Sequence, residues 1–252
     1  MDIYQHTQNT IYDDFKVQTK VVGGLLKFGG LASLGNGVTQ EINGLTQDEV
    51  YATTNAIDSV SSSSTADTQN GGLVGATVSG TTTTRANQMF TLAGQTRMPL
   101  TTAIFRSDRA GNSNADNFVG DIYFYENSAI TNGVPDDLDK VHLKISSGKI
   151  NQTQKACAHV PGDRYLCITH LYASLGASTN GKVGIKLFER NFGKVFQLKF
   201  EGSAGDDSPI EHPYGEHPLI VPPNSDVAMV GTGTAPGMVV VAGFDGFYAM
   251  IQ

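Results

Sequence analysis

The feature that most constrains this chain is a series of short segments in which apolar and polar residues alternate. Segment 183–188 reads VGIKLF and segment 195–200 reads VFQLKF, each mostly apolar at every second position. A period of two buries one face of a strand and leaves the other in water, as in antiparallel sheets. No stretch shows the apolar spacing of a long amphipathic helix.

Turn residues separate these segments, for example PGD at 161–163 and PPNS at 222–225. Short strands with frequent turns predict an all-β chain, an antiparallel β-sandwich or jelly roll. We expect an N-terminal arm over 1–45, a first β-rich domain over 46–150 and a C-terminal, jelly-roll-like β-sandwich over 151–252. The predicted strands are 16–26, 87–92, 100–106, 118–125, 154–160, 164–174, 182–190, 194–200, 217–221, 226–231 and 238–251.

Other segments lack a strand pattern. Segment 59–72 (SVSSSSTADTQNGG) has the composition of a flexible linker, and the Asx-rich segment 107–117 predicts a loop. A short helical turn is predicted near 46–51, where a threonine precedes two acidic residues.

The first residues have a character of their own, polar up to Asp14 and then rich in glycine. They carry apolar side chains but no evident core, which is typical of a segment that orders against a partner. The predicted partner-binding residues are Ile3, Tyr4, Ile11, Tyr12, Phe15, Leu25, Leu26 and Phe28.

Charge excludes some classes of protein. The formal net charge is −7 and only 16% of residues are charged, whereas nucleic-acid binding needs clustered lysine and arginine. The longest apolar run, near 238–242, is too short to span a bilayer, and residues 1–6 do not resemble a signal peptide. We therefore expect neither a nucleic acid nor a membrane as a partner.

Histidines, acidic residues and cysteines are present, but not at the spacings of catalytic or metal sites. His212 and His217 in EHPYGEHP and the acidic residues of 136–139 fit solvated, proline-bounded loops better than a metal or acid–base site. We therefore predict no catalytic residues, no metal and no cofactor. Cys157 and Cys167 are either small buried hydrophobic residues or a disulfide pair, since sequence does not fix the distance between them.

An ordered set of turns and strand pairs carries a family resemblance. It comprises SSSSTADT at 61–68, VPGD at 160–163, KLFER at 186–190 followed by GKVF at 193–196, and VPPNSDV at 221–227. In these motifs the chain resembles virion structural proteins of tailed bacteriophages, mainly short-tailed marine ones, and departs from them in a long segment over 93–150.

The resemblance implies a β-sandwich on the virion, made in the host cytoplasm and assembled on the particle. It would be a capsid decoration or cement protein, or a head-fibre component, rather than an enzyme. The expected partners are the major capsid protein or other virion proteins, bound through the arm, and copies of the chain itself, most simply as a homotrimer. The alternatives are a tail-associated receptor-binding protein that recognises host-surface glycans, a capsid shell protein, and an enzyme acting on carbohydrate.

Overall fold

The computed structural model describes residues 19–49, 51–176, 181–205 and 207–251. Most of the described residues lie in β-strands, and the paired strands are antiparallel. Within the described ranges helical structure is limited to a short 3₁₀ turn at Leu138–Lys140, and they contain no helix suited to crossing a membrane. The all-β prediction is confirmed.

In the described part of the chain, nineteen strands follow one another. Those up to residue 145 are β1 Thr19–Leu34, β2 Thr39–Glu41, β3 Ile57–Ser62, β4 Asn70–Ser79, β5 Thr82–Thr91, β6 Met98–Ile104, β7 Arg106–Asn112, β8 Ile122–Glu126, β9 Ile130–Thr131, β10 Val134–Pro135 and β11 Val141–Ile145. The rest are β12 Cys157–Val160, β13 Tyr165–Gly176, β14 Lys182–Asn191, β15 Gln197–Gly205, β16 Ile210–Pro213, β17 Leu219–Val221, β18 Ser225–Gly233 and β19 Met238–Ile251.

Apart from β9 and β10, which pair only with each other, the described strands form two sandwiches, each with its own hydrophobic core. In the C-terminal sandwich the sheet β1-β19-β13-β16, with β17 beside β13, faces the sheet β12-β18-β14-β15, with β2 beside β18. In the inserted sandwich the sheet β11-β8-β3-β6 faces β5-β4-β7. Burial of alternate side chains from both facing sheets holds each pair together.

The path of the chain shows why the second sandwich is called inserted. Strands β1 and β2 belong to the C-terminal sandwich, since β1 pairs with β19 from Thr19↔Ile251 to Leu34↔Met238 and β2 pairs with β18. The chain then builds the inserted sandwich over β3–β11 and returns at β12. The boundary predicted at 150 falls between β11 and β12.

The described part of the predicted arm requires a correction. Residues 19–41 are not a separate arm, because they contribute two strands to the C-terminal sandwich. Leu31 and Leu34 of β1 are buried in its core. Local sequence does not reveal this core, because the strand that pairs with β1 lies more than 200 residues further along the chain.

Two segments predicted to lack strands also differ from expectation. Segment 59–72 holds the end of β3 and the start of β4, and Ser61 and Ser62 are fully buried. Their hydroxyls donate to Gly133 O at 2.7 Å and to Asp67 Oδ2 at 2.5 Å, so burial leaves neither group unsatisfied. Segment 107–117 begins as β7, paired with β4.

The predicted helical turn near 46–51 is also wrong in the residues that the structure describes, which form a bend at 46–47 and then irregular backbone. The acidic side chain of Asp48 does not cap a helix there. Its Oδ1 accepts the backbone N–H of Glu41 at 2.7 Å, which ties this connection to the end of β2.

Close approach of two backbones explains one glycine of β1. A Cβ atom on Gly29 would lie 2.3 Å from Ile42 O and 2.5 Å from Ala156 N, the two atoms of one backbone hydrogen bond. Only glycine lets β1 pack against this part of the opposite sheet.

We predict that Gly29→Ala lowers the free energy of unfolding by about 1–3 kcal/mol, the usual range for overpacking a core. Gly24→Ala in the same strand is the matched control, because a Cβ atom there would meet no atom within 4 Å beyond its own neighbours in the chain. The control should change stability by less than about 0.5 kcal/mol. Urea denaturation followed by circular dichroism measures both, and equal losses would contradict this account of Gly29.

Candidate functional site

The predicted partner-binding residues divide into two groups. Ile3, Tyr4, Ile11, Tyr12 and Phe15 lie outside the described residues. The other three are in β1, and the strand separates them by face: Leu25 packs against the core of the C-terminal sandwich, whereas Leu26 and Phe28 lie on the outer face of its sheet. Leu25 is therefore a core-facing residue and not part of an open surface.

The outer face of this sheet presents apolar side chains to solvent, and we name it the β1 face. It consists of Leu26, Phe28, Tyr172, Val239 and Val241. Leu26 is 60% exposed and the two valines about 40%. The Tyr172 hydroxyl crosses the sheet and donates to Lys27 O at 3.1 Å. Clustered exposed apolar side chains of this kind mark interaction surfaces.

Strand β1 also lies at the edge of its sheet. One side pairs with β19 along its whole length, and no described strand pairs with the other side. An edge strand of 16 residues offers unpaired N–H and C=O groups to another chain. The edge and the β1 face together form a site for an added strand.

A depression of about 400 Å³ continues the β1 face at the far end of β1. Its apolar lining comes from Leu31, Leu45 and 239–241, and its polar lining includes Gln40 and Gln154. A volume of this size admits large side chains of a partner.

A second arrangement of interest lies where the sandwiches meet, and we name it the junction cluster: Thr83, Arg106, His159, Arg190 and Asp226. Asp226 is 1% exposed. Its Oδ1 accepts from Arg106 Nε at 2.9 Å and His159 Nδ1 at 2.8 Å. Its Oδ2 accepts from Arg106 Nη2 and Arg190 Nε, both at 3.1 Å. Strands of both sandwiches thus converge on one carboxylate.

Thr83, His159 and Asp226 of the junction cluster form a hydroxyl–imidazole–carboxylate chain like that of a nucleophilic triad. His159 Nε2 lies 2.9 Å from Thr83 Oγ1, and its other nitrogen faces Asp226. A triad base must take the hydroxyl proton, but the Thr83 hydroxyl donates to Asn224 Oδ1 at 2.9 Å, an oxygen that also accepts Thr83 N–H. Thr83 is 2% exposed. The geometry is that of a structural cross-link.

Electrostatics at Asp226 favour the ionised form. Burial alone would raise the pKa of its carboxyl group, but the hydrogen bond from His159 and the charge of Arg106 outweigh burial and hold the pKa well below its usual range. The carboxylate therefore stays charged in the folded protein, where Arg106, His159 and Arg190 donate hydrogen bonds to it.

The two cysteines and His212, also considered from the sequence, pack in the interior or against aromatic rings. Cys157 and Cys167 are both free and buried, in strands of opposite sheets, so the disulfide alternative is wrong. Burial raises the pKa of Cys167 to about 12 and that of Cys157 well above its usual value. The ring of His212 packs against Phe200 and Tyr214, with both centroid distances 4.9 Å.

Sequence reasoning assigned His159 to a structural strand but missed the junction cluster. Its members come from five strands between residues 83 and 226, and no two stand at a recognisable spacing. The one local signal is the PPNSD turn, which places Asn224 at a φ of 56° just before Asp226, in a conformation that asparagine tolerates well.

Comparisons with known proteins find only distant structural similarity. No protein-family profile and no curated protein matches the chain. A mitogen derived from Yersinia pseudotuberculosis is 13% identical over 38% of this chain and 82% of its own, with a TM-score of 0.20. Structures of infectious bursal disease virus, Gx and Gt strains, are each 8% identical over 92% of this chain and 74% or 73% of theirs, with TM-scores of 0.28 and 0.26. TM-scores this low assign neither a fold family nor a function.

We predict that Asp226→Asn lowers the free energy of unfolding at pH 7 by about 3–5 kcal/mol, because it removes one partner of a buried ionic network. The folded pKa of Asp226 is depressed, so its stabilisation is complete above the unfolded pKa of about 3.9 and is lost as the pH falls further. The difference between wild type and variant should therefore narrow below about pH 4.

The matched control is Asp163→Asn, which removes a half-exposed carboxylate paired with Arg164 and should cost about 1 kcal/mol or less. Chemical denaturation from pH 3 to pH 7 measures all three chains. A loss at Asp226 no larger than that at Asp163 would show that the junction cluster does not hold the sandwiches together.

Proposed function

We propose that this protein is a structural component of a bacteriophage virion, a capsid decoration or cement protein or a head-fibre component, and not an enzyme. The observation that carries the proposal is the β1 face with its unpaired edge. The segment that precedes β1 holds Ile3, Tyr4, Ile11, Tyr12 and Phe15. Segment and edge strand would together form one continuous attachment element.

The chemistry of this surface favours an extended protein segment as the partner. An edge strand supplies main-chain hydrogen bonds, and the exposed apolar side chains beside it supply burial. We therefore propose that a strand or arm of the major capsid protein, or of another virion protein, adds to β1. Burial of Leu26, Val239 and Val241 across neighbouring subunits would reinforce the shell.

Self-association belongs to the same proposal. A cyclic homotrimer would place three copies around a symmetry axis of the shell. Light scattering behind size exclusion should then give three times the mass of one chain. The mass of a single chain would indicate that the protein assembles only on the particle.

Deleting residues 1–18 should abolish binding to purified shells of the phage that encodes the chain, and should leave the fold intact, because the deletion stops before Thr19, where β1 begins. Leu26→Asp should weaken binding at least about tenfold, or about 1.4 kcal/mol, since it places a charge in the proposed interface. Co-sedimentation with shells stripped of the protein measures both.

Val195→Asp is the matched control. Val195 is 80% exposed and lies between β14 and β15, in the sheet opposite the β1 face, so its substitution should leave binding unchanged. Undiminished binding after both the deletion and Leu26→Asp would refute attachment through this element. Binding to host cells but not to shells would instead support the tail-associated receptor-binding alternative, with host-surface glycans as the ligand.

A further inference from the structure

A group of three buried ligand-type side chains lies beside the junction cluster, and we name it the acid–thiol group: Glu41, Glu49 and Cys157. One carboxylate oxygen from each glutamate and the Cys157 sulfur all lie within 4.8 Å of one another. All three residues are less than 9% exposed. They come from the end of β2, the connection after it and the start of β12, so no sequence spacing reveals them.

One oxygen of the acid–thiol group is buried without a partner. Glu49 Oε2 pairs with Lys155 Nζ at 2.7 Å, but Glu49 Oε1 has no hydrogen-bond partner, although the side chain is only 2% exposed. A buried carboxylate oxygen without a donor is costly. The space left among Glu49, Tyr51, Cys157 and their neighbours is about 10 Å³, room for one water-sized particle.

Neighbouring groups orient the other carboxylate. Glu41 accepts the backbone N–H of Glu49 at 2.8 Å on one oxygen and the Tyr51 hydroxyl at 2.7 Å on the other. The Tyr51 ring is itself held between Arg106 and Arg190, 4.9 Å and 4.2 Å from its centroid. Such outer contacts are what positions metal ligands in proteins, and each carboxylate oxygen keeps a lone pair for an ion.

We propose that the acid–thiol group binds one divalent ion of zinc type through the Cys157 sulfur, a Glu41 oxygen and Glu49 Oε1. A thiolate with two carboxylates suits an ion of intermediate softness, and zinc takes sulfur at about 2.3 Å and oxygen at about 2.0–2.2 Å. With these bond lengths, ligand atoms on a tetrahedral ion lie about 3.6 Å apart. The three ligand atoms here lie within 4.8 Å of one another, so small side-chain rotations would bring them to bonding distance of one ion.

Charge balance is compatible with this ion. Lys27 and Lys155 lie in the same buried region, where Glu49 and Asp108 act on them electrostatically. An ion that binds with release of one proton each from the Glu41 carboxyl group and the Cys157 thiol to solvent leaves the net buried charge unchanged.

The site is enclosed, so the ion would enter as the chain folds. The test is to refold the full chain with cobalt(II) or zinc, remove free metal by gel filtration, and measure metal content and absorption. We expect one ion per chain and, with cobalt, the near-ultraviolet band of a thiolate–cobalt bond. Tyr51→Phe should weaken binding roughly 10- to 100-fold, as loss of an orienting contact does.

The two cysteines provide the decisive pair of variants. Cys167→Ser leaves Cys157 as the single thiol and should keep the band, whereas Cys157→Ser should lose both the band and the bound ion. If Cys157→Ser does not fold, the Cys167→Ser chain decides alone, because any thiolate–cobalt band in it comes from Cys157. Absence of the band from wild type and Cys167→Ser, or its persistence in folded Cys157→Ser, would overturn the proposal. Neither outcome bears on attachment through β1.

Discussion

The buried carboxylate of Asp226 is the constraint on which the arrangement of the two sandwiches depends. An ion taken out of water is tolerated only when charges and donors surround it closely. Arg106 reaches it from the inserted sandwich, and His159 and Arg190 reach it from the C-terminal sandwich. Any slip between the sandwiches would leave at least one of these charges without its partner, so the network selects a single arrangement. Apolar contacts alone would not be so selective.

Backbone pairing imposes a second constraint, which acts within the C-terminal sandwich. Its first and last strands pair with each other, so the sheet that carries the β1 face is assembled from both ends of the chain. Gly29 allows β1 to pack closely on its inner side, whereas a Cβ atom at Gly24 would meet no atom within 4 Å. The same strand therefore serves the core with Leu31 and Leu34 and presents Leu26 to solvent.

Sequence patterns predicted the C-terminal strands well. The predicted strands 182–190 and 238–251 correspond to β14 Lys182–Asn191 and β19 Met238–Ile251, because their alternation reflects one buried face. The strands of the inserted sandwich were predicted less well from the sequence. Serines in β3 are buried, and their hydroxyls find partners far along the chain, so a polar composition does not mean a solvated segment here.

The sites were beyond local sequence reasoning for a related reason. The junction cluster and the acid–thiol group are assembled from residues separated by up to about 140 positions, such as Thr83 and Asp226, and only the topology brings them together. The apolar residues of β1 were recognised as unusual, but the pattern did not separate Leu25, which faces the core, from Leu26. Face assignment required the pairing of β1 with β19, which no local pattern supplies.

That pairing has a consequence for biosynthesis. Strand β1 is synthesised before every other described strand and its neighbour β19 after all of them, so the hydrogen-bonding groups of β1 stay unpaired while the strands between the two are made. The inserted sandwich has no such dependence, since β3–β11 contain their own partners and can close while the rest is still being synthesised. Contacts of such long sequence separation also make the final step slow. Throughout that interval the apolar β1 strand is open on both edges, and nascent chains on neighbouring ribosomes are exposed to mispairing at this strand.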